Sequence, residues 1–155
     1  MKRSCSIILF SWLTLTVVAQ KIYLGNSTYT SDIVCNVVDD KVYAGNSCYT
    51  TDIIFRFDGT YIYKGNSVYS SDVIASWRKN KVYSGRSVYS SDVLANWNDG
   101  KMYRGNSVYS SDVMFRYDGK HVYAKNLVYS SDILLTTSSY VSPALLYLIL
   151  QIIGS

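Results

Sequence analysis

The chain has 155 residues, a formal net charge of +4 at pH 7 and 16 Tyr, and each of its 11 acidic residues is Asp. Its Lys and Arg are scattered and two of them, Lys2 and Arg3, stand at the extreme N-terminus, so there is no basic stripe of the kind that binds nucleic acid. Glu, a good helix former, is missing, while Tyr, Val and Ile are abundant; this composition predicts one domain, mainly β.

Residues 1–19 differ from all that follows. Lys2 and Arg3 precede an apolar run from Ile7 to Ala19, with Val17 and Ala19 at the two positions that a signal peptidase reads. This pattern predicts a cleaved secretory leader, a mature chain starting at Gln20, and a secreted or periplasmic location. As a helix the run would rise only ~20 Å, short of the ~30 Å hydrocarbon core, so an uncleaved anchor fits less well. Cys5 would leave with the leader. Cys35 and Cys48 would remain, an even number that permits a disulfide in an oxidising compartment. The other copies of the repeat have Phe, Ala or Leu at the first position and Thr or Val at the second, so each Cys also reads as a small buried hydrophobe.

From residue 20 to 140 the chain is built on a 20-residue repeat. The stretch GNSVYSSDV stands unaltered at Gly65 to Val73 and at Gly105 to Val113, and six copies begin at Lys21, Lys41, Tyr61, Lys81, Lys101 and His121. Each opens with an aliphatic residue and Tyr, read as a short strand, and then reaches Gly-Asn-Ser or a variant, where a turn is expected. A second Tyr follows, at 29, 49, 69, 89, 109 and 129. Ser or Thr pairs then lead into Asp32, Asp52, Asp72, Asp92, Asp112 and Asp132, each followed by a second strand. In that strand Val113, Phe115 and Tyr117, like Val73, Ala75 and Trp77, make an inward apolar face, with Arg116 and Met114 on the other. Asp58-Gly59, Asp99-Gly100 and Asp118-Gly119 mark hairpin turns between copies, fitting two- or three-residue loops. The unit is therefore a hairpin straddling the copy boundary. Five hairpins leave a lone first strand, Ile22 to Leu24, and a lone last one, Ile133 to Thr137; pairing them would close a ring and remove both sheet edges. The predicted fold is all-β, a shallow closed barrel of tandem hairpins with about 12 short strands. An open β-solenoid like that of choline-binding modules is the rival.

Repetition also constrains function. Six Asp at equivalent positions could gather a cation, but Asp after Ser-Ser at a strand entrance more often accepts hydrogen bonds from its own loop. For the Tyr rings the expectation is half-burial with the hydroxyl at the rim, with a ligand role as the alternative. A catalytic site needs a few residues in unlike roles, and here Asp, Ser and Tyr recur in equivalent settings, so the chain is read as non-enzymatic and without a cofactor. His121, the single His, takes the place of Lys in other copies and reads as a solvated side chain; no cluster has zinc-site spacing. Phe55, Phe57, Trp77, Trp97, Phe115 and Tyr117 are the candidate lining of a central apolar channel. The partners they would serve are a lipid, another apolar ligand or a membrane surface. The other reading is a structural or adhesive envelope protein with no small ligand.

The tandem pattern Lys-Val-Tyr-x-Gly-Asn-Ser-x-Tyr-Ser-Ser-Asp-Val, from Gln20 to about Thr137, resembles the bacterial β-flower proteins, also called four-fold β-flower domains. The resemblance implies a near-symmetric shallow barrel with hairpins as petals around an apolar channel, in secreted or membrane-attached proteins, and a likeness to the phosphoinositide-binding C-terminal domain of Tubby-like proteins. Six copies here exceed the four of that name, and no clustered basic patch matches a phosphoinositide site.

The tail, 141–155, is predicted as a short helix from Pro143 to Ile153, apolar all round and therefore buried. It would rise ~16 Å, too short to cross a bilayer and comparable to a barrel of five-residue strands. It is expected to plug the channel; a membrane-inserting tail and a further strand are the alternatives.

Overall fold

A computed structural model describes residues 18–154, so all of the predicted leader except Val18 and Ala19 lies outside the described residues. Twelve strands are present: β1 (Gln20–Leu24), β2 (Ile33–Val38), β3 (Lys41–Ala44), β4 (Ile53–Phe57), β5 (Tyr61–Lys64), β6 (Val73–Arg78), β7 (Lys81–Ser84), β8 (Val93–Asn98), β9 (Lys101–Arg104), β10 (Val113–Tyr117), β11 (His121–Ala124) and β12 (Ile133–Thr137). One helix, α1 (Pro143–Ile153), follows. Every strand pairs antiparallel with its neighbours in sequence, and β1 pairs with β12 through Ile22↔Thr137, Tyr23↔Thr136 and Leu24↔Leu135. The ring is closed, no strand edge is left open, and the solenoid alternative is ruled out.

Both loop lengths occur between copies. Lys79 and Asn80 (φ 48° and 60°), and likewise Asp99 and Gly100 (φ 48° and 73°), form two-residue turns with left-handed backbone at both positions, matching the twist of the paired strands. After β4 and β10 the loop is longer, and an Asp carboxylate organises it. Asp58 Oδ1 accepts from the amides of Thr60 (2.9 Å) and Tyr61 (2.7 Å), and Asp58 Oδ2 from the Tyr63 hydroxyl (2.9 Å); Asp118 repeats this with Lys120, His121 and Tyr123. Partial burial works to raise both carboxyl pKa values, but the hydrogen bonds outweigh it and hold them below the ordinary value. A depressed folded pKa means stability that is present above the unfolded pKa and lost as pH falls through the folded one. Asp58→Asn combined with Asp118→Asn should therefore flatten the acid limb of the stability curve below about pH 4, measured by urea unfolding at stepped pH.

The other end of each hairpin carries the longer connections, each made of a bend, the second Tyr and a one-turn 3₁₀ segment. Here the strands of a single copy, β1 with β2 and so on round the ring, pair with a register shift that leaves one extra residue on the second strand: Val34, Ile54, Ile74, Leu94, Met114 and Leu134. The carbonyls of these six residues accept from the amides of Gly45, Gly65, Gly85, Gly105, Lys125 and Gly25, so each connection is tied to the preceding hairpin at 2.8 to 3.1 Å. The six connections are the petals.

Side chains of Ile22, Val42, Ile62, Val82, Met102 and Val122 are fully buried on the inner wall, beside Cys35, Phe55, Ala75, Ala95, Phe115 and Leu135. They share one core with Val141, Ala144, Leu145, Leu146, Tyr147 and Ile149. α1 therefore fills the barrel axis, as its all-round apolar sequence predicts. After β12 the chain turns over the hairpin-turn end, and α1 then runs back towards the petal end, where Gln151 to Gly154 emerge into solvent.

Candidate functional site

The six candidate channel residues all lie on or against this shared core. Phe55, Phe115 and Tyr117 are buried, and Phe57, Trp77 and Trp97 are half-buried and packed against it. Their surroundings are the wall and the helix together. Trp97 meets Phe115 with ring centroids 6.3 Å apart, and Tyr117 stacks at 5.6 Å on Tyr140, just ahead of α1.

Tyr117 anchors the helix. Its hydroxyl accepts from the Val141 amide (2.9 Å), donates to the Gly119 carbonyl (3.0 Å) and lies 3.0 Å from Thr137 Oγ1. Burial raises its phenol pKa, and the hydrogen bonds from Thr137 and Val141 only partly oppose this. Tyr117→Phe would leave the buried Val141 N–H unpaired and should cost about 1–3 kcal/mol in chemical denaturation.

The candidate Asp ring is spread over the six petals. In five copies the carboxylate accepts from the Ser hydroxyl five residues earlier, as Asp72 does from Ser67 at 2.5 Å, and that Ser in turn accepts from the next Tyr amide. Each Asp amide closes the 3₁₀ turn onto the Tyr carbonyl. The sixth petal differs: Leu127 replaces Ser, and Asp132 has only Ser131, at 3.5 Å. Among the described residues no three His, Cys, Asp or Glu come together as a metal site.

Three expectations are corrected. The second Tyr rings, at 29, 49, 69, 89, 109 and 129, are 69–75% exposed rather than half-buried, because the petal carries them away from the wall. Cys48 is exposed and not a buried hydrophobe, since it sits in the petal next to Tyr49. Met114, expected on the outer face, packs against the core because the bulge breaks the strand's alternation. Cys35 is buried, as the hydrophobe reading expects, and burial pushes its thiol up to about 11; neither Cys is in a disulfide. His121 lies 3.4 Å from Asp118 Oδ2 beside its turn.

A cavity of about 290 Å³ opens at the petal end, between the exit of α1 and the wall. Leu24, Met114, Phe115, Leu134 and Leu135 line it from β1, β10 and β12, and Tyr147, Leu150, Gln151, Ile153 and Gly154 from the helix end. Gln151 and the phenol of Tyr147 are the polar side chains in that lining. Sequence reasoning missed Leu24, Met114 and Leu134. For Met114 and Leu134 a signal was available: the residue after the first of the second strand is apolar in all six copies, where simple alternation calls for a polar one. No helix among the described residues is long and apolar enough to cross a membrane.

A scan against protein-family models matches residues 22–150 to the 6-fold beta flower protein family. Neither the curated proteins nor the solved structures yield a match. Six copies, six petals and a ring closed by β1 and β12 agree with that description, and the chain belongs to the six-fold β-flower family.

Proposed function

We propose that the protein is an exported, non-enzymatic module that takes up a lipid or other apolar ligand at the petal end of the barrel. The observation that carries this reading is the apolar cavity beside the exit of α1. Leu24, Leu94 and Leu134 add exposed apolar surface at the same end, 52%, 37% and 37% accessible. With α1 on the axis, the aromatic residues of the inner wall serve the helix, and the space open to a ligand is at its tip. Export is supported by the leader pattern of residues 1–19, and the non-enzymatic reading by the equivalence of the repeated polar residues.

The adhesive alternative has its own support. The same exposed Tyr is presented six times, next to Val68, Val88, Val108 and Val128, which are also exposed, and such repetition suits a multivalent contact.

Native mass spectrometry of protein purified from the exported fraction tests the choice. A reproducibly retained lipid or small hydrophobe, lost in Leu24→Asp/Ile153→Asp, is the expected result, with a mature start at Gln20. An empty, self-associating protein would favour adhesion, and a chain retaining Met1 in the cytoplasm would refute export.

A further inference from the structure

The cavity coincides with the place where the repeat departs from itself. Five copies have Gly at the first petal position, with φ between 52° and 61°, and the sixth has Lys125 with φ 53°. A Cβ at any of the five Gly would find its nearest neighbour at 3.7 to 3.9 Å, an ordinary contact, so space does not forbid a side chain there. The left-handed backbone does disfavour one, and the chain tolerates that strain in the sixth petal alone. The amide of the exposed Lys125 donates at 3.1 Å to the carbonyl of Met114, a cavity-lining residue, which puts the Lys125 backbone beside a strand that lines the cavity. Among the described residues Lys125 has no carboxylate within ion-pair distance, although Asp132 is in the same petal. The same petal loses the Ser that holds the Asp elsewhere.

The cavity itself is at the small end of the ~300–1,000 Å³ typical of ligand pockets, so it suits one chain and not a whole diacyl lipid. Its helix side, Tyr147 to Gly154, spans about 10 Å at ~1.5 Å per residue. Building on the lipid-binding reading above, we propose that this cavity holds the single alkyl chain of a monoacyl amphiphile with an anionic head, such as a fatty acid. The chain lies between Met114, Leu134 and Leu150, and the carboxylate meets Lys125, with the Gln151 amide at the rim.

Displacement of a fluorescent hydrophobic dye from the full mature protein by laurate, and separately by the neutral lauryl alcohol, tests it. Wild type should release the dye with both. Leu134→Trp, filling the cavity from a partly exposed position, should bind neither. Lys125→Gly restores the residue of the other copies and relieves backbone strain, so it should fold; it should weaken laurate about three- to fivefold, the scale of an exposed ion pair, and leave the alcohol unchanged. No displacement by laurate in wild type, or equal affinity of Lys125→Gly and wild type for it, would overturn the proposal. If laurate fails while native mass spectrometry still finds a retained lipid, the cavity assignment falls and the broader lipid-binding reading stands.

Discussion

Truncation before Pro143 is expected to unfold the protein at room temperature or leave it barely stable. α1 buries Ala144, Leu145, Leu146, Tyr147 and Ile149 almost completely, and at ~1.5–3 kcal/mol for each large apolar side chain this is about 6–12 kcal/mol gross. Its removal would also empty the axis against which Ile22, Val42, Ile62, Val82, Met102 and Val122 are sealed. The ordering entropy of eleven helical residues offsets part of the gain, but a domain of this size has only about 5–15 kcal/mol in total. Thermal melts followed by circular dichroism should show a lost or broadened transition and new binding of a hydrophobic dye. A truncated chain melting cooperatively within a few degrees of the full one would mean that the barrel is stable without its helix.

Phe115→Ala should cost about 3–5 kcal/mol, the upper range for a core truncation. The ring is 1% exposed, contacts the Trp97 side of the core, and forms the inner wall of the petal-end cavity. A site already bordering empty space cannot collapse to fill the new void, so the cavity term should be nearly full. Because the substitution enlarges a cavity, longer-chain amphiphiles should recover part of the lost stability in urea titrations. Ala75 and Ala95 occupy the equivalent positions in their copies, so a loss near 1 kcal/mol would show that the wall adapts to small residues at that level.

Closure of the ring and the axial helix were legible in the sequence, and strand register and the facing of individual side chains were not. Two leftover strands at the ends implied closure, and β1 pairs with β12 as that argument requires. Pro143 followed by an unbroken apolar run implied a buried helix, and α1 spans the predicted residues. Register was not legible, because Asp-Gly pairs fit two loop lengths and a one-residue change reverses every facing. The bulge at Met114 followed from that gap: strict alternation put that residue outside, and only pairing shows that it, like Leu134, is the extra residue. The second Tyr could not be placed either, since half-burial is the usual state of a strand Tyr and these sit in the petals, exposed even at Tyr129 where the petal lacks the Ser. The cavity depends on one helix meeting six unequal walls, information that no single copy contains.

Hydrogen–deuterium exchange of the mature protein in detergent-free buffer, read by mass spectrometry over the 143–154 peptide, tests most directly that α1 is the axis of the barrel. The fold predicts that the amides of Leu146 to Ile149, helical and surrounded by a closed ring, exchange as slowly as those of β5 and β10. Exchange of those amides at the rate of an unstructured chain, with β5 and β10 still protected, would contradict it.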